Sequence, residues 1–370
     1  MTVAQLDALI RRNPRDPALL QRLDNLRLTE RLPSGRRNQL LSLLHTDRDR
    51  HALMVIADTS EFSPPAPGET PADPFPGRTS ASAILNRAFN YVSQSTHTLP
   101  DFFATRTEAE YQEPKLRDKD LCPVSSTEQP LRLSATYRGT VLYRNGTEVV
   151  EAQKKSSKRL LNIRDHALDT RGNFGLALTS IFSAAANPQS KVTWSRWERG
   201  ELGNLAVFQF EIPSTVPVFE VTYCCLPVGD GTTIYRNNAA YRGEFAVNPS
   251  TGAIMRLLLN ADLDEDRDPR APLVRSQLMI DYAPVEIGGK QYVTPIRSVS
   301  LSRGRTLQMI YHFGLTFLRY GPYETLVNEF TFTNYHKFGS EARILAGYDE
   351  VPQSTDPGSS NKPSPAAKSH

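Results

Sequence analysis

Four aspartates at alternate positions, Asp262, Asp264, Asp266 and Asp268 in "DLDEDRDP", form the densest set of oxygen donors in the chain. Carboxylates at that spacing begin a calcium loop. An EF-hand loop starting at Asp262 also needs a glycine and a closing glutamate, and the chain has Arg267 and Leu273 there, so the stretch reads as a solvated turn between strands. Cys224 and Cys225 raise disulfide chemistry. Neighbours in a strand point to opposite faces, so they read instead as small, partly buried thiols. Cys122, beside Pro123, is the third cysteine, and its pairing with Cys224 depends on a distance that sequence does not fix. Three cysteines without a CxxC exclude a disulfide scaffold and give no zinc signature. His312 and His336 lie in strand-like segments that could approach each other, but no GxSxG or HExxH accompanies them. Trp194 and Trp197, three apart in a strand, are expected on opposite faces, one in the core and one on the rim or a ligand surface. The expectation is a chain that is not an enzyme, with no catalytic residue, no metal site and no cofactor. A hydrolase with an unrecognised His/Asp site is the catalytic alternative.

Charge gives no footprint for nucleic acid, because a net +3 over 370 residues is close to balance. The run Lys154, Lys155, Lys158 and Arg159 reads as a solvated loop. No apolar run reaches the ~20 residues that a membrane helix needs. "MTVAQLDALI" enters an amphipathic pattern directly, without a basic start and an apolar block. The protein is therefore expected to be cytosolic, or exported after removal of a signal.

The elements fall into two regimes. Residues 1–62 read as a helical bundle. Thr2 and Gln5 have capping-box spacing, Asp16-Pro17 opens a second helix, Ser34 opens a third, and Ala52, Leu53, Ile56 and Ala57 mark a fourth. Six prolines in residues 63–78 make 63–80 an extended linker. From 81 to 350 a sheet domain is expected, with helices near 84–92 and 174–186. From about residue 130 the period becomes 2. Asn145-Gly146 marks a hairpin, and turn chemistry at 248–252 and at Gly288-Gly289 separates further strands. Such short connections leave no room for crossover helices, so the sheet is antiparallel. By alternation, Phe219, Val221, Tyr223 and Cys225 share one face, and Phe330 and Phe332 turn away from Glu329, Thr331 and Thr333. One face is thus apolar and the other wetter. Residues 351–370, rich in proline and serine, read as a disordered tail.

A series of segments carries a resemblance: "LTERL", "ALMVIAD", "LPDFFATR", "YRNG", "GNFGLAL", "WSRWERG", "YRGEFAVNPSTGAIMRL", "VEIGGKQYVTPIRSVS" and "NEFTFTNYHKFGSEARI". In this order, over about residues 1–345, the chain resembles a family of uncharacterised exported proteins of acidobacteria. The second half, through "NPSTG" with its following "MRL" and through "GGKQYVTP", is distantly similar to the outer-membrane lipoprotein carrier and sorting proteins. That likeness implies an α+β fold, a helical bundle followed by a curved antiparallel half-barrel packed on one or two helices. It also implies a periplasmic or secreted location. The function expected from it is a non-enzymatic module holding a lipid, acyl chain or apolar peptide. The likeness rests on turn and strand residues and carries no binding site over; alternation gives the ligand face of such a module as Phe219, Val221, Tyr223, Phe330 and Phe332. The alternative is a protein-interaction module whose sheet is filled by its own helices and whose helical domain recruits a partner.

Overall fold

The structure, a computed structural model, describes residues 1–24, 26–113, 129–149, 176–201, 203–228, 231–263, 271–312, 315–338 and 349–350. Cys122, the basic run at 154–159, Asp264, Asp266, Asp268 and the tail expected at 351–370 lie outside them, as do the side chains of Cys224, Cys225 and His312.

Four helices occupy the first sixty residues: α1 (Val3–Arg12), α2 (Leu19–Asp24), α3 (Ser34–Leu43) and α4 (Asp47–Ser60). Helix α1 begins in the expected capping box, with the Thr2 hydroxyl and the Gln5 side chain satisfying each other's backbone N–H groups. Helix α4 starts at Thr46, whose Oγ1 accepts from the Asp49 N–H at 3.1 Å. Leu6, Ile10, Leu19, Leu23, Leu40 and Leu53 close into a core of their own. The proline-rich stretch is extended apart from one 3₁₀ turn (Pro67–Glu69). It is held in place: the Pro74 carbonyl accepts from Trp197 Nε1 at 3.0 Å, and Asp73 accepts from the Asn204 amide at 2.7 Å.

Helix α5 (Arg78–Thr98) carries Ile84, Ala88 and Val92 on its buried side and stops at Leu99, before Pro100, and α6 spans Leu176–Ala185. The rest is sheet. Strands β1 (Phe102–Gln112), β2 (Arg132–Arg144), β3 (Thr147–Val149), β4 (Lys191–Gly200), β5 (Gly203–Ile212), β8 (Ala240–Val247), β9 (Ile254–Asp262), β10 (Leu273–Ile287), β11 (Lys290–His312), β12 (Leu315–Lys337) and β13 (Asp349–Glu350) join in one eleven-stranded sheet. Its order is β13-β2-β1-β12-β11-β10-β9-β8-β5-β4, with β3 beside β2, and every pairing is antiparallel. Among the described residues its two ends do not pair, so the sheet is open. Strands β6 (Val221–Val228) and β7 (Gly231–Asn237) form a separate hairpin. The chain is α+β, with a large antiparallel sheet and few helices.

The hairpin turns follow from local chemistry. Asn145 and Gly146 both adopt positive φ, as do Gly288 and Gly289, the backbone that a two-residue turn matched to strand twist requires. At residues 248–252 the Asn248 carboxamide accepts from the Ser250 and Thr251 N–H groups, and Gly252 turns left-handed at φ 80°.

Three expectations are corrected. Strand β1, third from one end of the sheet, precedes the stretch where period 2 is expected, and a register shift between Phe103 and Thr105 interrupts its alternation. Trp194 and Trp197 lie on the same face, their rings 4.9 Å apart, because a bulge between Trp194 and Arg196 adds a residue to the count. His312 and His336 are held apart: His312 pairs with Leu315 at the start of β12, and His336, near the other end of β12, pairs with Phe103 on β1.

Gly252 fixes how α5 meets the sheet. A Cβ there would lie 2.4 Å from the Arg87 carbonyl oxygen, and Arg87 Nε donates to the Pro249 carbonyl at 3.0 Å. Gly252→Ala therefore meets both left-handed strain and a backbone clash. It should lower stability by about 1–3 kcal/mol in chemical denaturation, whereas Gly77→Ala, with open space around it, should cost only the left-handed strain.

Candidate functional site

Both faces of the sheet are covered, and the two covers differ in chemistry. On one face Phe208, Phe210 and Phe245 stack in parallel, and Phe182 of α6 leans on Phe245 at 4.7 Å and on Phe89 of α5 at 5.1 Å. Ile84, Ala88 and Val92 of α5 and Leu178 and Ile181 of α6 complete this core over Leu257, Leu259 and Ile280. Further along the same face Phe102, Tyr143, Phe330, Phe332 and Tyr335 form a second aromatic cluster, with Arg106 over the Phe330 ring at 4.9 Å.

The five residues read as a ligand face divide between these clusters. Val221 lies in the first core, and Phe219 and Tyr223 pack against it. Phe219 meets Tyr241 edge-on, and the Tyr223 hydroxyl donates to the Arg305 carbonyl at 2.6 Å with its ring over Gly304. Phe330 and Phe332 belong to the second cluster, at 2% and 4% exposure. Val221 and Tyr223 are on the separate β6–β7 hairpin, not on the large sheet. On the same face as Phe330, Ser300 of β11 stands directly opposite Asn328 of β12. Both are buried, and Ser300 Oγ and Asn328 Oδ1 have no hydrogen-bond partner among the described residues.

The opposite face, read from sequence as the wetter one, is a buried ionic layer beneath the helical unit. Register puts Arg256, Asp281, Arg297 and Thr331 side by side on β9 to β12. Arg297, 4% exposed, donates from Nε to Glu329 at 2.7 Å, from Nη1 to Glu61 at 2.6 Å and from Nη2 to Asp58 at 2.5 Å, with Asp281 at 3.6 Å. Asp58 and Glu61 come from α4 and its end, so this arginine ties helices to sheet. A second knot centres on Glu198 of β4, which binds Arg31 from the helical unit, Arg256 at 2.7 Å and Arg196 at 3.0 Å, while Arg196 also grips Glu244. At the other end of the sheet Arg132 of β2 holds the carboxylate of Asp24 in α2 with two hydrogen bonds. Between these anchors Met54, Val55 and Phe62 rest on Tyr111, Met279, Val299, Leu301 and Val327.

The electrostatics follow from burial and pairing. Burial pushes the Glu198 carboxyl up, but Arg256 and Arg31 outweigh it and leave its pKa at about 2. Burial also lowers the proton affinity of Arg297, and Glu61, Asp58 and Glu329 together more than reverse that. Asp58 goes the other way: burial, with the charge of Glu329, raises its pKa well above the ordinary value despite Arg297. No three His, Cys, Asp or Glu among the described residues are placed to hold a metal.

Sequence reading missed this layer. Arg196, Glu244, Arg256, Asp281, Arg297 and Glu329 share one face of β4 and β8 to β12, a matching of sign that emerges only with the strand register. Compared with known proteins, the chain matches no family model, no curated protein and no solved structure.

Two measurements probe the layer. Arg297→Met leaves four carboxylates around an apolar side chain and should cost about 3–5 kcal/mol in chemical denaturation, as for a broken buried pair. Glu198, with its folded pKa below the ordinary 4.5 of a glutamate, contributes stability above that value and loses it as the pH falls toward 2. A shift of this size is worth about 3 kcal/mol. Glu198→Gln should therefore flatten the acid limb of a stability-versus-pH curve.

Proposed function

We propose that the chain is a non-enzymatic, extracytoplasmic interaction module. Its sheet is filled by its own helices, and its helical unit presents the surface for a protein partner. The observation that carries this reading is the packing of the aromatic face. Phe208, Phe210, Phe245, Leu257 and Ile280 are each 2% exposed or less, with α5 and α6 laid on them. An apolar face this size needs a cover, and the chain supplies one. No described helix is long and apolar enough to cross a membrane, which leaves strand-based insertion untouched.

A second reading has a specific observation in its favour. In a carrier-like half-barrel an apolar ligand would lie along Phe330 and Phe332, with Phe219, Val221 and Tyr223 toward its other end. Ser300 Oγ and Asn328 Oδ1, buried on that face and without partners among the described residues, are costly as they stand and would receive the polar head of an acyl chain or lipopeptide. About ten buried methylenes contribute roughly 8 kcal/mol before the costs of association, which is micromolar at best.

Native mass spectrometry of freshly purified protein, followed by displacement of an environment-sensitive dye with fatty acid, separates the two. The interaction module predicts an apo mass and no saturable dye site. A bound lipid mass, with dye displacement weakened by Asn328→Leu, would replace it with the carrier.

A further inference from the structure

The ionic layer does not balance. Around Asp58, the packed elements bring charge to one place. The end of α4 adds Glu61, β12 adds Glu329, β10 adds Asp281 and β11 adds Arg297, which contacts all four carboxylates within 3.6 Å. Helix α3 adds Arg37, which acts on Asp58, Glu61 and Glu329. Arg256 of β9 and Arg31 of the helical unit also act on Asp281, but both are shared with Glu198 and Glu244. Across the layer six carboxylates (Asp58, Glu61, Glu198, Glu244, Asp281 and Glu329) thus meet five guanidinium groups (Arg31, Arg37, Arg196, Arg256 and Arg297), leaving one excess negative charge if every acid is ionised. Burying uncompensated charge is among the largest penalties a fold can carry. A metal does not relieve it, because no three acidic groups here are placed as ligands. A proton does, and the geometry selects its position. Asp58 is fully buried, its Oδ1 accepts from Arg297, and its Oδ2 has no partner among the described residues.

We infer that the helical unit docks on the sheet with one proton held on Asp58, so that docking is proton-linked and loosens as the solution becomes alkaline. Undocking returns Asp58 to water on the surface of α4, where it ionises as an ordinary aspartate. The docked state therefore binds a proton that the undocked state releases at neutral pH. A carboxyl whose pKa is raised on docking favours docking fully at acidic pH, and that contribution disappears as the pH rises through the docked value. The rise at Asp58, caused by burial and then by Glu329, has this sign. Asp281, raised by burial and by Glu61, works in the same direction. Release would uncover the apolar strip of Tyr111, Met279, Val299, Leu301 and Val327, now under Met54, Val55 and Phe62. The device is independent of whether the aromatic face carries a ligand.

Hydrogen exchange of the full chain, read by mass spectrometry from about pH 6 to about pH 9 and corrected for intrinsic exchange, tests this. Protection of α4 should fall at least tenfold, the change carried by one unit of proton linkage, while β8 and β9 keep theirs. Asp58→Asn, which mimics the protonated acid, should leave α4 protected across the range. Glu329→Gln removes the charge that strengthens the proton's hold and should move the loss to lower pH. Constant α4 protection in the wild type would overturn the inference. So would loss of α4 and β8–β9 together, or an Asp58→Asn response matching the wild type. If Asp58→Asn does not fold, seen as unprotected β8 and β9 at every pH, the wild-type profile and the Glu329→Gln shift decide.

Discussion

A guanidinium at the centre of a wide sheet, out of reach of water, has to be given partners by the fold, and Arg297 receives them from three directions. Glu329 and Asp281 come from the flanking strands. Asp58 and Glu61 come from a helix 239 and 236 residues away in sequence. Such a pair contributes modestly compared with an apolar substitute, but it is severe when half of it is missing. That asymmetry makes the position of the helical unit specific. A shift of α4 along the sheet leaves Arg297 and Glu329 facing apolar side chains, and the Arg31–Glu198 and Arg132–Asp24 contacts fail with it. The apolar contacts of Met54, Val55 and Phe62 supply attraction without register; the ionic contacts supply the register.

The two faces therefore obey different rules. Under α5 and α6, aromatic rings interlock, and close approach is enforced by glycine. Gly243 leaves space for Phe210, whose ring would lie 2.7 Å from any Cβ there. Under the helical unit, hydrogen-bond geometry decides which residues can sit opposite one another. One sheet thus separates an apolar core from a charged one by a single layer of backbone.

Much of this was legible locally. The Thr2–Gln5 capping box, the Asn145-Gly146 turn and the Gly288-Gly289 turn are determined by three or four adjacent residues, and the sequence reading of them agrees with the structure. The aromatic alternation of β12 is equally local. What could not be read depends on partners remote in sequence. A charged residue in a strand looks solvated until something covers it, and the cover for Glu329 is α4. The Trp194–Trp197 contact reverses on one inserted residue, which alternation counting passes over. Strand β1 is polar and irregular by itself, and its place in the sheet comes from β2 and β12. The residues chosen as a ligand face were all found packed against apolar cores, but in two clusters, because β6 leaves the main sheet for a hairpin of its own.

The strand order also has a consequence for how the chain is built. Strand β1 is made early, yet it is bordered by β12, so Phe102 waits for Lys337. Until then the growing polypeptide has a β1–β2 hairpin with a free edge and a separate run of strands from β4 to β10 with another. Strands β11 and β12 join them. Closing so long a loop is slow compared with forming hairpins, and the helical unit cannot find Arg297 before that step. Assembly is therefore ordered along the sequence: a small helical body first, two unfinished sheet halves next, and a joining step once β11 and β12 are available. Until that step each half presents an unpaired edge on which another chain can pair.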